Sequence, residues 1–266
     1  MANILSTDKQ AAIIGALGEG SSIRSIERQT GVHRDTIMRL GLRIGHGCAA
    51  LLDAKMPDLP CQHLQFDELW GLIGKRQGHL LPDDNPELGD VWTFCAIDSD
   101  TKPVPSFKVG KRHSATANAF VSDVASRLAN RVQISTDALG AYAQAVEQAF
   151  GANVDYAQIV KVLEDQSADA EVIRMDKTAY AGRPDMSVAS TSHVERLNGT
   201  TRLHMRRLTR LTYAFSKKLE NFEAAVALHF AYYNFVKRHI SIRCTPATAA
   251  GIERDFWTVR DLVEAA

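Results

Sequence analysis

The spacing of apolar and polar positions changes character twice along the 266 residues. In the first fifty, apolar residues recur at helical spacing in three short stretches. Thr7 can cap a helix over Asp8–Leu17, in which Ala11, Ile14 and Leu17 share a face. Ile23 and Ile26 point inward from a second helix. Thr30-Gly31-Val32 then breaks the pattern, glycine supplying a left-handed turn and Val32 filling the angle between two helices. A third helix runs from His33 to Ile44, with Ile37, Leu40 and Ile44 on one side. This order makes either a helix-turn-helix, whose last helix enters a DNA groove, or an ordinary three-helix bundle.

Pro57 and Pro60 mark a linker over Leu51–Cys61, after which period two takes over. Gln62–Ile73, Asp90–Asp98 and Val104–Lys111 read as strands of an antiparallel meander, with a polar hairpin or loop over Lys75–Gly89. Ser114–Ala129 returns to helical rhythm through Ala117, Phe120, Val121, Val124 and Leu128. A short buried strand over Val132–Ser135, a helix over Ala141–Phe150, a strand over Tyr156–Val162 and a long helix from near Thr191 follow. Strands first, then alternation, predict a mixed α/β fold: a five-stranded mixed sheet flanked by helices. The expected domains are 1–55 (helix-turn-helix), 62–250 (the sheet domain) and 251–266 (a helical tail).

Composition adds exclusions. Hydrophobic residues make up 45% of the chain and charged ones 23%, which fits a globular protein rather than a disordered or collagenous one. No apolar run reaches the roughly 20 residues of a membrane span, and no signal-peptide pattern opens the chain. Cys48, Cys61, Cys95 and Cys244 lie far apart without CxxC spacing, as expected of reduced thiols in a cytoplasmic protein. The formal net charge is zero, yet residues 51–195 carry −8 and residues 196–266 carry +6. An acidic centre with basic flanks suits a chain that holds cations in a site and a polyanion around it. A solvated helix face is the plainer explanation of the basic run from Arg196 to Lys218.

Three carboxylates stand out. Asp67 sits inside the first strand, where burial is costly unless the charge is paired or coordinates a cation. Asp137 follows the fourth strand, at the kind of strand end where ligands collect. Glu195 lies in the first turns of the long helix. Each alone has a dull reading as strand-edge acid, helix cap or surface acid. Together they can meet at one sheet edge, where only divalent cations would relieve their repulsion. Two Mg²⁺ or Mn²⁺ ions about 4 Å apart could then drive phosphodiester displacement. Glu68 falls on the opposite sheet face by period two, and Asp98 suits a turn with Ser99, Asp100 and Thr101, or an accessory place beside the site.

Several motifs carry a resemblance: FDELWGLIGKRQ, CAIDSDTK, STDALGAY, SHVERLNGTTRLHMRRLTRLTYAFSKK and AYYNFVKRHISIRCTP. Over about residues 62–250 the chain resembles the DDE insertion-sequence transposases, and within them the bacterial group named for insertion sequence one. That resemblance implies a ribonuclease-H-like catalytic domain, with the family's three acids falling on Asp67, Asp137 and Glu195 as metal ligands. It also implies a basic residue seven positions beyond the glutamate, here Arg202, at the transposon tip. DNA contacts are further expected from Arg34, Arg39 and Arg43 in the third helix and from Arg206, Arg207 and Arg210; His193 and Asn198 are accessory candidates. Unlike many members of that group, the chain has no cysteine-rich zinc ribbon before the helical segment. The expected partners are double-stranded DNA, as transposon ends and as target, and a second copy of the chain, since strand transfer needs two ends held together. Localisation would be cytoplasmic, on the nucleoid when DNA-bound. The rivals are a ribonuclease-H-like nuclease that cuts without joining and an inactive DNA-binding regulator. A serine hydrolase is disfavoured, because no GxSxG turn is present.

Overall fold

The computed structural model describes residues 5–164, 171–209 and 212–266. In chain order the elements are α1 (Thr7–Gly18), α2 (Ile23–Thr30), α3 (Arg34–Lys55), β1 (His63–Ile73), β2 (Gly89–Asp98), β3 (Phe107–Gly110), α4 (Ser114–Ser126), β4 (Val132–Thr136) and α5 (Gly140–Phe150). Then come β5 (Val154–Leu163), β6 (Val172–Ala181), α6 (Ser192–His204), α7 (Leu219–Ala231), α8 (Pro246–Ala249) and α9 (Val259–Ala265). The chain divides into two compact units, one of residues 1–56, 69–92 and 198–266, the other of 57–68 and 93–197.

The first unit is mainly helical. Ser22 caps α2, and Gly31 ends it in the left-handed region at φ 68°, the turn expected from the sequence. Glu27 then accepts a hydrogen bond from the backbone N–H of Arg34 and fixes the start of α3. That helix runs to Lys55, well past Ile44, through three glycines that weaken the sequence signal. Packing overrides the propensity: α3 lies along α7, and a Cβ on Gly45 would stand 2.3 Å from the carbonyl oxygen of Ala224. Residues 1–55 therefore share a core with 198–266, since α9 also packs on α1 and α3. Gly45→Ala is expected to cost about 1–3 kcal/mol of stability through overpacking, measured as a lower urea midpoint. Gly199→Ala, in α6 with nothing near its Cβ position, should gain roughly 0.5–1 kcal/mol. Equal effects at both sites would contradict the close contact.

The second unit is built on a six-stranded mixed sheet in the order β3-β2-β1-β4-β5-β6, some of whose β1 and β2 residues count with the first unit. Pairing is parallel from β1 to β4 and from β4 to β5, and antiparallel from β5 to β6. The extra strand is β6, over a segment to which the sequence assigned no element. It is exposed along nearly its whole length and carries no amphipathic alternation to betray it. One face of β1 meets α4 and α5: the Phe66 ring lies 5.2 Å from Phe120 and 6.0 Å from Tyr142. The four cysteines are free, and burial pushes the Cys48 and Cys61 thiols up to about 12. Among the described residues, no helix is long and apolar enough to cross a membrane.

Candidate functional site

Register places the acids. The parallel pairing of β1 with β4 ends at Phe66 opposite Thr136, so Asp67, the next residue of β1, and Asp137, just past the end of β4, follow the last paired rung together. Asp137 turns the chain by accepting the N–H of Leu139 at 3.0 Å. Glu195 arrives from α6, whose first turn is tied to β1: Gln65 Oε1 accepts the backbone N–H groups of His193 at 2.8 Å and Val194 at 3.1 Å. Two donors that a helix start leaves orphaned are thus satisfied by a strand side chain, which sets where Glu195 stands. Asp67, Asp137 and Glu195 line one cleft of about 600 Å³ with Arg112, Lys161, Thr191 and Ile159.

Within the cleft the acids are not equivalent. Ligand oxygens of Asp67, Glu68 and Asp137 all lie within 4.8 Å of one another. Glu195 stands outside that closest group, its Oε1 accepting from Lys161 Nζ at 2.5 Å and from Thr191 Oγ1 at 2.6 Å. Burial pushes the Asp67 carboxyl up to about 7, and the charges of Glu68, Asp137 and Glu195 add to the rise. Its Oδ1 accepts the N–H of Glu68, which works the other way.

Glu68 corrects the sequence reading. It does project to the α4–α5 face, where Tyr142 donates to its Oε2 at 3.0 Å, and Arg112 Nε and Nη2 reach its Oε1 at 2.8 and 2.6 Å. The opposite face nevertheless does not remove it from the site. β4 stops at Thr136, so beyond that point the edge of β1 is open, and the Glu68 carboxylate comes within 4.8 Å of those of Asp67 and Asp137. Burial raises the Glu68 carboxyl, and Arg112 opposes the rise.

The remaining candidates divide. The carboxylate of Asp98 is taken up by the turn, accepting the N–H groups of Asp100 and Thr101 and the Thr101 hydroxyl. His193 meets Lys102, its Nδ1 lying 3.3 Å from Lys102 Nζ, and burial with Lys102 and Arg196 nearby lowers its pKa. Asn198 is buried in α6. Arg34, Arg39 and Arg43 are exposed along α3, Arg43 donating to Gln10 Oε1 at 2.5 Å. The expected long helix ends at His204, and a 3₁₀ turn over Arg206–Leu208 follows. Arg202 is half-buried and Arg206 exposed, whereas Arg207 is drawn inward, donating to Ser216 Oγ at 2.6 Å and the carbonyl of Asn221 at 3.3 Å. That guanidinium ties a loop together, which a basic run read from sequence does not reveal. Arg210 lies outside the described residues. Lys161, Arg112, Gln65 and Thr191 were not singled out in the sequence; for Lys161 the available signal was one charge inside the apolar run QIVKVL.

The donor set consists of carboxylate oxygens, hard ligands suited to Mg²⁺ or Mn²⁺ rather than to zinc. Their crowding, and the raised Asp67 carboxyl, are what a bound divalent cation would relieve. The residues fit such an ion.

No family model and no curated protein matches the chain. Solved structures do align with it. One is a piggyBac transposase synaptic complex with hairpin DNA, at 9% identity, covering 97% of this chain and 69% of that one, with a TM-score of 0.46. Another is a simian T-cell lymphotropic virus intasome in complex with PP2A regulatory subunit B56 gamma, at 14% identity, 86% and 74% coverage and a TM-score of 0.42. A third is a Mos1 mariner paired-end complex with Mn, at 11% identity, 86% and 77% coverage and a TM-score of 0.31. Overlaps this loose carry no weight for the chemistry, which rests on the cleft.

Proposed function

We propose that this chain is a metal-dependent DNA transposase of the DDE type, from an insertion sequence. The observation that carries the reading is the convergence of Asp67, Asp137 and Glu195, from three distant stretches of chain, on one cleft. A bound Mg²⁺ or Mn²⁺ would supply charge neutralisation at the scissile phosphate and a more acidic water or 3′-hydroxyl. The chain's own residues do the positioning. Asp67 and Asp137 present adjacent oxygens from paired strands, and Gln65 and Thr191 fix the third carboxylate. Arg112 and Tyr142 hold Glu68 against the pair. On this reading α2 and α3 form the helix-turn-helix that reads a terminal inverted repeat, with Arg34, Arg39 and Arg43 on the DNA side. Arg202 and Arg206 meet phosphates near the cleaved end, and two copies act together.

The test is a cleavage and strand-transfer assay in Mg²⁺ with the element's own flanking ends. Asp67→Asn, Asp137→Asn and Glu195→Gln are each expected to lose more than about a hundredfold of activity. Wild-type activity in any of the three removes that residue from its role. Cleavage without joining in the wild type would make the chain a nuclease instead.

A further inference from the structure

Lys161 is the cation of the cleft that the reading above leaves unused. It sits on β5 beyond the Thr136–Gln158 pairing, lines the cleft with Asp67 and Asp137, and reaches Glu195 Oε1 at 2.5 Å. Its side chain is 36% exposed and that of Glu195 40%. A pair this open adds little to stability, so the fold does not require it. Its position does have a consequence. The oxygen that Lys161 holds belongs to a carboxylate expected to bind a divalent cation, and an ammonium and a dication on one carboxylate repel each other. With a dication on Glu195, Lys161 would be free within a cleft whose proposed substrate is a phosphodiester. A lysine head is a compact charge with three donors, suited to the non-bridging oxygens of a phosphate.

We propose that Lys161 binds a phosphate of the DNA substrate in the cleft, and that Glu195 holds it there until a divalent cation claims the carboxylate. This rests on the transposase reading and adds a substrate-binding residue to it. Lys161 then competes with the metal and assists the DNA, so its loss should move the two affinities in opposite directions. A merely structural ion pair would move both the same way or neither.

The experiment measures two quantities on the intact chain: Mn²⁺ affinity by calorimetry without DNA, and the affinity of a short duplex in Ca²⁺ over a range of salt. Lys161→Gln is expected to tighten Mn²⁺ binding by about threefold to tenfold. It should also weaken the duplex by about tenfold and lower the slope of log K against log salt by about one. Lys161→Arg, which keeps the charge, should retain the wild-type salt slope. Unchanged or weaker Mn²⁺ binding in Lys161→Gln, or an unchanged salt slope, overturns the role of Lys161 while leaving the metal site standing. A wild-type chain that takes up no Mn²⁺ overturns the transposase reading as well.

Discussion

Asp67→Asn should make the metal-free protein more stable at neutral and alkaline pH while removing its activity. Burial and the neighbouring acids raise the folded carboxyl to about 7 from 3.8. Between those values the folded state binds more protons than the unfolded chain, so stability falls as pH rises through the interval, and above it the full cost of the buried charge is present. Asparagine keeps an oxygen to accept the N–H of Glu68 and has no charge to lose. The gain is on the order of 2–4 kcal/mol, or roughly 5–10 °C in melting temperature at pH 8. Near pH 4 the difference should vanish. Thermal unfolding of both proteins with a chelator at the two pH values checks this, and a variant less stable than wild type at pH 8 would contradict it. Gain of stability with loss of chemistry is the pattern expected when a site stores electrostatic strain for a ligand.

Arg112→Ala should be strongly destabilising, and Glu68→Gln should largely rescue it. The Glu68 side chain is only 2% exposed, and its two oxygens accept hydrogen bonds from Arg112 and Tyr142. Removing the guanidinium strands a buried carboxylate. Because the Arg112 side chain is 41% exposed, the cost is set below that of a fully buried pair, at about 2–3 kcal/mol. Glutamine in place of Glu68 removes the stranded charge and can still accept from Tyr142. Denaturant midpoints of the two single variants and the double variant measure the coupling. A double variant no more stable than Arg112→Ala would show that the pair does not hold the cleft.

The sequence carries the positions of the acids better than their surroundings. Asp67 and Asp137 are legible because each is a carboxylate at or just past an apolar strand, and β1 and β4 form close to where periodicity places them. The sequence cannot show that their strands pair in a register that sets the two side by side, which depends on long-range pairing. Glu68 is misjudged for a related reason: period two states which face a residue takes, and it is silent on where the neighbouring strand stops. β6 escapes because a strand exposed on both sides needs no alternation, its order coming from pairing with β5. The long basic helix fails because local propensity does not reveal that Arg207 is satisfied inward by Ser216 and Asn221. Likewise α3 continues past Ile44 because tertiary contacts favour the glycines that local propensity disfavours, with Ala224 of α7 against Gly45, Leu17 against Gly41 and Ala266 against Gly47.

The central claim is that Asp67, Asp137 and Glu195 serve one divalent cation site, and calorimetric titration of Mn²⁺ into the intact protein at pH 8 tests it most directly. The account predicts saturable binding in the wild type, weakened by about tenfold or more in each of Asp67→Asn, Asp137→Asn and Glu195→Gln. Binding that is absent from the wild type, or that survives unchanged in all three variants, would contradict it.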